Sequence, residues 1–118
     1  MRYILFRGKR VDNGEWAESK CPTATMHCGI ERYDFIPETV GQFTGLTDKN
    51  GKKIFESDIV QAHFRSNHSK QKFRVVFDDG MFLFDNNHVK VPKYEIYAMK
   101  VIGNIHDNPE LLEVAADD

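Results

Sequence analysis

Residues 42–60, Gln42-Phe43-Thr44-Gly45-Leu46-Thr47-Asp48-Lys49-Asn50-Gly51-Lys52-Lys53-Ile54-Phe55-Glu56-Ser57-Asp58-Ile59-Val60, leave the chain little choice of structure. The apolar runs are short, and turn formers interrupt them twice, at Asp48 to Gly51 and at Glu56 to Asp58. A helix of ordinary length, about 10–12 residues or more, has no room between them. Asn50 and Gly51 tolerate left-handed backbone angles that Ile or Phe could not adopt. The stretch therefore predicts a strand, a tight turn, a short second strand, another turn and the start of a third strand.

The same punctuation recurs along the chain. Asp12-Asn13-Gly14 predicts a hairpin whose strands lie near Arg2 to Lys9 and Glu15 to Cys21. Pro22 to Gly29 reads as an irregular connection, and Ile30 to Phe35 as a short strand closed by Pro37. Ile59 to Phe64 is a strand with Ile59 and Phe64 near opposite faces, followed by a polar loop from Arg65 to Lys72. Phe73, Val75 and Phe77 share one face of the next strand, Asp78-Asp79-Gly80 turns it, and Met81 to Phe84 returns. Asp85 to His88 is a loop, and Pro92 marks an edge or a break. Tyr94 to Ile105 carries one or two strands, and Asn108-Pro109 opens a helical turn with Asn108 as its cap. Many short strands and little helix predict a mainly β fold, a small antiparallel barrel of five strands in the second half preceded by a hairpin region. At 118 residues the chain fits one domain, divided as a hairpin region over 1–38 and a barrel-like part over 39–118.

Two segments carry a family resemblance. Thr39-Val40-Gly41-Gln42-Phe43-Thr44-Gly45-Leu46-Thr47-Asp48-Lys49-Asn50-Gly51-Lys52-Lys53-Ile54-Phe55-Glu56, running into Asp58-Ile59-Val60, is one. Val101-Ile102-Gly103-Asn104-Ile105-His106-Asp107-Asn108-Pro109-Glu110-Leu111-Leu112 is the other. With Ile4-Leu5-Phe6-Arg7 they resemble the YopX family of small phage and prophage proteins, in the family's order and over the whole chain. The resemblance implies an SH3-like barrel and a setting in bacterial mobile elements. It brings no activity, cofactor or catalytic residue with it. Ser57 stands where the family usually has Gly; if the position needs positive φ, Ser costs about 1 kcal/mol there.

The residues that could carry chemistry each have a structural role to compete with. Turn chemistry accounts for Asp48, Asn50 and Gly51 without a partner. Glu56 and Asp58 could pair as acid and base or hold a cation, but Asp58 equally suits capping backbone amides before the third strand. Cys21, His27 and Cys28 are the only metal-like set, with His63, His68, His88 and His106 scattered elsewhere, and the paired spacing of a structural zinc site is missing. Ser57, Ser66 and Ser69 lie in polar turns without a nucleophile elbow, and His68 beside Ser69 is adjacency only. No phosphate-binding Gly motif occurs.

Arg65, His68, Lys70, Lys72 and Arg74 form the one basic cluster, bracketed by Phe64 and Phe73. Such a loop can meet phosphates while an aromatic stacks on bases, or it can simply keep a hairpin solvated. The net charge of −2 and the acidic run from Asp107 to Asp118 argue against a global attraction to nucleic acid. The expectation is a non-enzymatic accessory protein without cofactor or metal, acting by protein–protein interaction or self-association through an exposed strand edge. Nucleic-acid binding through Arg65 to Arg74 is the alternative. The two cysteines and the short apolar run at the N-terminus predict a cytosolic protein with no membrane span, and the resemblance implies a bacterial host.

Overall fold

In the computed structural model, the described residues are 5–20, 25–28 and 31–112, with side chains described for 5–20 and 34–112. The fold is mainly β. Strands β1 (Phe6–Lys9) and β2 (Trp16–Ser19) form the expected hairpin, with Gly14 at φ +72° in its turn. β3 (Thr25–Cys28) pairs antiparallel with β4 (Glu31–Asp34). The sequence reading treated 22–29 as irregular; the pairing partner at 31–34 decides the state of a segment whose own alternation is weak. Cys21 lies outside the described residues, and so do the side chains of His27 and Cys28. The acidic tail beyond 112 lies outside them too.

A short 3₁₀ turn (Pro37–Thr39) leads to β5 (Gly41–Thr47) and β6 (Lys53–Phe55). β5 pairs with both β1 and β6, so one sheet of order β2-β1-β5-β6 draws strands from either side of residue 38. The second sheet has order β10-β9-β8-β7-β11, from β7 (Asp58–Phe64), β8 (Lys70–Asp78), β9 (Met81–Asp85), β10 (Lys90–Val91) and β11 (Ile96–Asn104). One core cluster joins Ile54 of β6 to Val60, Ala62, Phe73, Val75, Phe84 and Ile96 of this sheet, each at most 1% exposed. Phe73 and Val75 fill that core as the alternation predicts. Phe77, in the same register, is 51% exposed because the hairpin runs past the core.

Local detail departs from the sequence reading at several points, while β11 as one strand stays within it. The hairpin turn at 48–51 puts only Gly51 at positive φ, and Asn50 stays on the right-handed side. Asp48 shapes that turn, as its turn chemistry predicts. Its Oδ1 accepts the amides of Asn50 (2.8 Å) and Lys52 (2.9 Å), and its Oδ2 accepts that of Val101 (2.9 Å). Together with the Lys49 amide donating to the Met99 carbonyl (2.9 Å), this ties the β5–β6 hairpin to β11. β8 begins at Lys70, so the polar loop is shorter than the expected Arg65 to Lys72. β11 is one strand with register shifts at Tyr97/Lys100 and Val101/Gly103, and Ala98 sits at φ +56° in the first shift. Asn108 opens the closing 3₁₀ turn (Pro109–Leu112) through its main-chain carbonyl, while its side chain accepts the Asn104 amide.

Two ion pairs hold the sheets together. Arg7 reaches from β1 to Asp58 at 2.6 Å, with its guanidinium 4.6 Å from the Trp16 ring centre and 4.8 Å from that of Phe55. Asp58 is 1% exposed and also accepts the Phe55 amide at 2.8 Å. Burial pushes its carboxyl above the usual carboxylate range, against the pull of Arg7 and of that amide. Lys9 pairs with Asp107, which also accepts the Trp16 Nε1–H at 2.8 Å. The bonds from Lys9 and Trp16 lower the Asp107 carboxyl to about 2.

Candidate functional site

Strand alternation decides where the basic cluster goes. With Phe73 and Val75 turned into the core, Lys70, Lys72 and Arg74 lie on the opposite face of β8. In the β7–β8 register Lys70 faces His63, Lys72 faces Gln61, and Arg74 faces Ile59. On the other side of β7, Tyr97 faces His63 and Lys100 faces Gln61. Directly opposed residues share a face, so β8, β7 and β11 present Lys70, Lys72, Gln61, His63, Tyr97 and Lys100 together. The lower end of this face is closed by the last 3₁₀ turn. Gly103 lies opposite Ile59, and a Cβ there would sit 2.9 Å from Leu111 Cδ1.

An aromatic cluster stands at the upper end. The Tyr97 ring stacks on His63 with centroids 5.3 Å apart and meets His68 edge-on at 5.9 Å. Its hydroxyl is 2.9 Å from His68 Nδ1, and the Arg65 guanidinium lies 5.5 Å from its ring centre. His68 reaches Tyr97 from a backbone at φ +60° in the 65–69 connection, whose amides bond Phe64 O and Asn67 Oδ1.

The five predicted residues therefore divide. Lys70 and Lys72 are exposed strand residues on the sheet face. Arg65 and His68 belong to the aromatic cluster. Arg74 is engaged by Asp85 at 3.0 Å. Burial would raise the Asp85 carboxyl, but the Asn87 amide and Arg74 more than offset it and the net shift is downward. Sequence reasoning missed Gln61, His63, Tyr97 and Lys100. The alternation of Lys70, Lys72 and Arg74 was readable; the placement of Lys100 depends on a bulge that no local pattern announces.

Most cations of this face have no ion pair among the described residues, a state they share with Lys20, Lys49, Lys52 and Lys93 elsewhere on the surface. No ion pair among the described residues involves Arg65, Lys70, Lys72 or Lys100, whereas Arg7, Lys9, Arg10, Lys53, Arg74 and Lys90 are each paired. A cleft of about 470 Å³ between the sheets, with Arg7, Trp16, Lys53, Asp58 and Asp107 in its wall, has most of its charges spent on one another. Glu56 and Asp58 are used separately, Asp58 on Arg7 and Glu56 toward the Gln42 amide at 3.4 Å. Among the described residues no group of His, Cys, Asp and Glu is gathered as for a metal. His106 lies against Trp16, 6.0 Å between ring centres, where burial and then Arg7 lower its basicity.

Antiparallel sheets, almost no helix and a lysine-bearing sheet face define the class, a small mainly β protein. The chain belongs to the YopX family: the family's sequence model, described as YopX protein, matches residues 5–113. It is also similar to a solved structure described as the crystal structure of protein EF1440 from Enterococcus faecalis. That likeness has 26% identity and a TM-score of 0.59, and it covers 94% of this chain and 99% of the other. No curated protein matches the chain.

Proposed function

We infer that this protein is a non-catalytic module that binds nucleic acid across the face formed by β8, β7 and β11. The observation that carries the reading is the gathering of Lys70, Lys72 and Lys100, none in an ion pair among the described residues, on one exposed sheet face beside Arg65 and Tyr97. Phosphates release counterions from such a surface, so affinity falls steeply with salt. The net charge of −2 restricts the attraction to this patch and keeps it modest. The family resemblance supports a phage or prophage product of the bacterial cytoplasm. An SH3-like reading of the second sheet draws support from the bulges of β11 and from the β5–β6 hairpin bound to it.

Fluorescence anisotropy with labelled single- and double-stranded DNA and RNA, at low and moderate salt, tests the function. Binding is expected at low salt, and Lys72→Gln should flatten the dependence of log K on log salt by about 0.7–0.9. No binding at low salt would overturn the reading.

A second reading, a protein partner or a second copy added to a strand edge, has its own observation. β10 ends at Val91 because Pro92 has no amide to donate, so β9 beyond Phe84 has no outer neighbour among the described residues. Phe77, Met81 and Val89 are 51%, 43% and 48% exposed around that edge. Sedimentation at rising concentration, with Met81→Lys as the comparison, decides it. A concentration-dependent dimer abolished by the lysine supports the edge, and a monomer throughout sinks self-association.

A further inference from the structure

A second cleft, of about 400 Å³, opens at the outer edge of β11 where the lysine face ends. That is within the range of small-ligand pockets, roughly 300–1,000 Å³. Its wall includes Lys49, Arg65, Lys93, Tyr94, Tyr97 and Ala98. Arg65 and Tyr97 belong to the lysine face as well, so the two surfaces are continuous.

The cleft is braced on both sides by main-chain bonds. On one side the Lys49 amide donates to the Met99 carbonyl at 2.9 Å, and Asp48 holds the turn behind it. On the other, the Arg65 amide donates to Glu95 O at 2.9 Å and its Nε–H to Tyr94 O at 3.1 Å. This fixes the 3₁₀ turn over Lys93–Glu95. Between them β11 bulges at Ala98, and a bulge of this kind re-aims side chains at a strand edge.

The chemistry of the wall restricts the occupant. Lys49, Arg65 and Lys93 take part in no ion pair among the described residues. The one acid in the wall, Asp48, has both oxygens committed to three amides. Such a wall favours an anion. Tyr97 is already covered by His63 and Arg65, but Tyr94 is 67% exposed and offers a flat apolar surface. An anion carrying a flat ring, next to a row of lysines, describes a nucleotide. In a duplex the bases are stacked away from such a surface; in a single strand each base has a face to give.

We propose that this cleft takes one unpaired nucleotide of the strand lying on the lysine face, its base on Tyr94 and its phosphate among Lys49, Arg65 and Lys93. The protein then prefers single strands to duplexes. The proposal rests on the nucleic-acid reading above and names the substrate class of that surface.

The test compares wild type, Tyr94→Ala, Tyr94→Phe and Lys72→Gln on a labelled oligothymidylate and a labelled duplex of equal length. A thymidine monophosphate titration followed through amide NMR accompanies it. Tyr94→Ala should weaken single-strand binding about 5- to 150-fold with little change on the duplex, and Tyr94→Phe should keep wild-type affinity. The monophosphate should shift the Lys49 and Ala98 amides in wild type and not in Tyr94→Ala. An undiminished single-strand affinity in Tyr94→Ala, or an equal loss on the duplex, overturns the cleft while Lys72→Gln sensitivity leaves the face standing. Monophosphate shifts without any strand binding overturn the proposal together with the face, because the cleft then takes a free nucleotide and not one of a bound strand.

Discussion

At the scale of single residues, Ser57 and Asp48 carry the clearest consequences. Ser57 has φ +77°, a geometry suited to Gly, and its amide and carbonyl bond Val75 and Ile105 through the main chain alone. Ser57→Gly should therefore stabilise the fold by about 1 kcal/mol, read as a thermal midpoint a few degrees higher. Asp48 is 7% exposed and satisfies three amides at once. Asn in its place offers one acceptor oxygen and turns an NH₂ toward an amide donor, so Asp48→Asn should cost about 2–3 kcal/mol in urea unfolding. Burial raises the Asp48 carboxyl, but the amides outweigh it and the net shift is downward. Its contribution is then complete above the unfolded value near 3.8 and is lost as pH falls through the lower folded value. The importance of this turn was legible from Asp48 and Gly51. The bond from Asp48 to Val101 was not, because it spans a sequence separation that no local pattern encodes.

At the scale of elements, the sequence showed strands where a run and its bounding turns agreed. β1, β2, β7 and the β8–β9 hairpin are of that kind. It failed where pairing decides the outcome, as at β3 and at the first residues of β8. It also missed the parity of β11. Tyr97 and Lys100 cannot share a face in a regular strand, and they do so because one extra residue is accommodated between them. The candidate site inherited that gap: its β8 half was visible in Lys70, Lys72 and Arg74, and its β11 half was hidden. The ion pair between Arg7 of β1 and Asp58 at the start of β7 yields another prediction. Arg7→Met leaves the buried Asp58 without its cation and should cost about 3–5 kcal/mol. Adding Asp58→Asn keeps the acceptor for the Phe55 amide and removes the stranded charge. The double variant should lose much less than the sum of the single losses in a denaturation cycle.

At the scale of the whole molecule, the two sheets meet through Arg7, Trp16, Phe55 and Asp107. Trp16 is the only tryptophan, so its emission reports on that junction. Because the junction is charged and partly buried, the sheets should unfold together. Trp16 fluorescence and far-ultraviolet circular dichroism should give superimposable urea curves, and separate midpoints would show two independent units. Acid should act on the same place. The Asp107 carboxyl is lowered to about 2, chiefly by Lys9, so its stabilising contribution is present above the unfolded value near 3.8 and is lost as pH falls through about 2. Lys9→Gln should move the acid transition of Trp16 emission to higher pH.

The bulge at Ala98 makes chain length, rather than side-chain chemistry, the economical way to change what this surface receives. Two residues, Ala98 and Met99, stand against Ala62 alone, between the pairs Tyr97–His63 and Lys100–Gln61. Losing one of them leaves both flanking pairs as they are, so every lysine of the face keeps its neighbours. The strand edge would straighten, and the wall beneath Tyr94 would close. A single-residue insertion or deletion here would thus change the cleft and leave the lysine face in place.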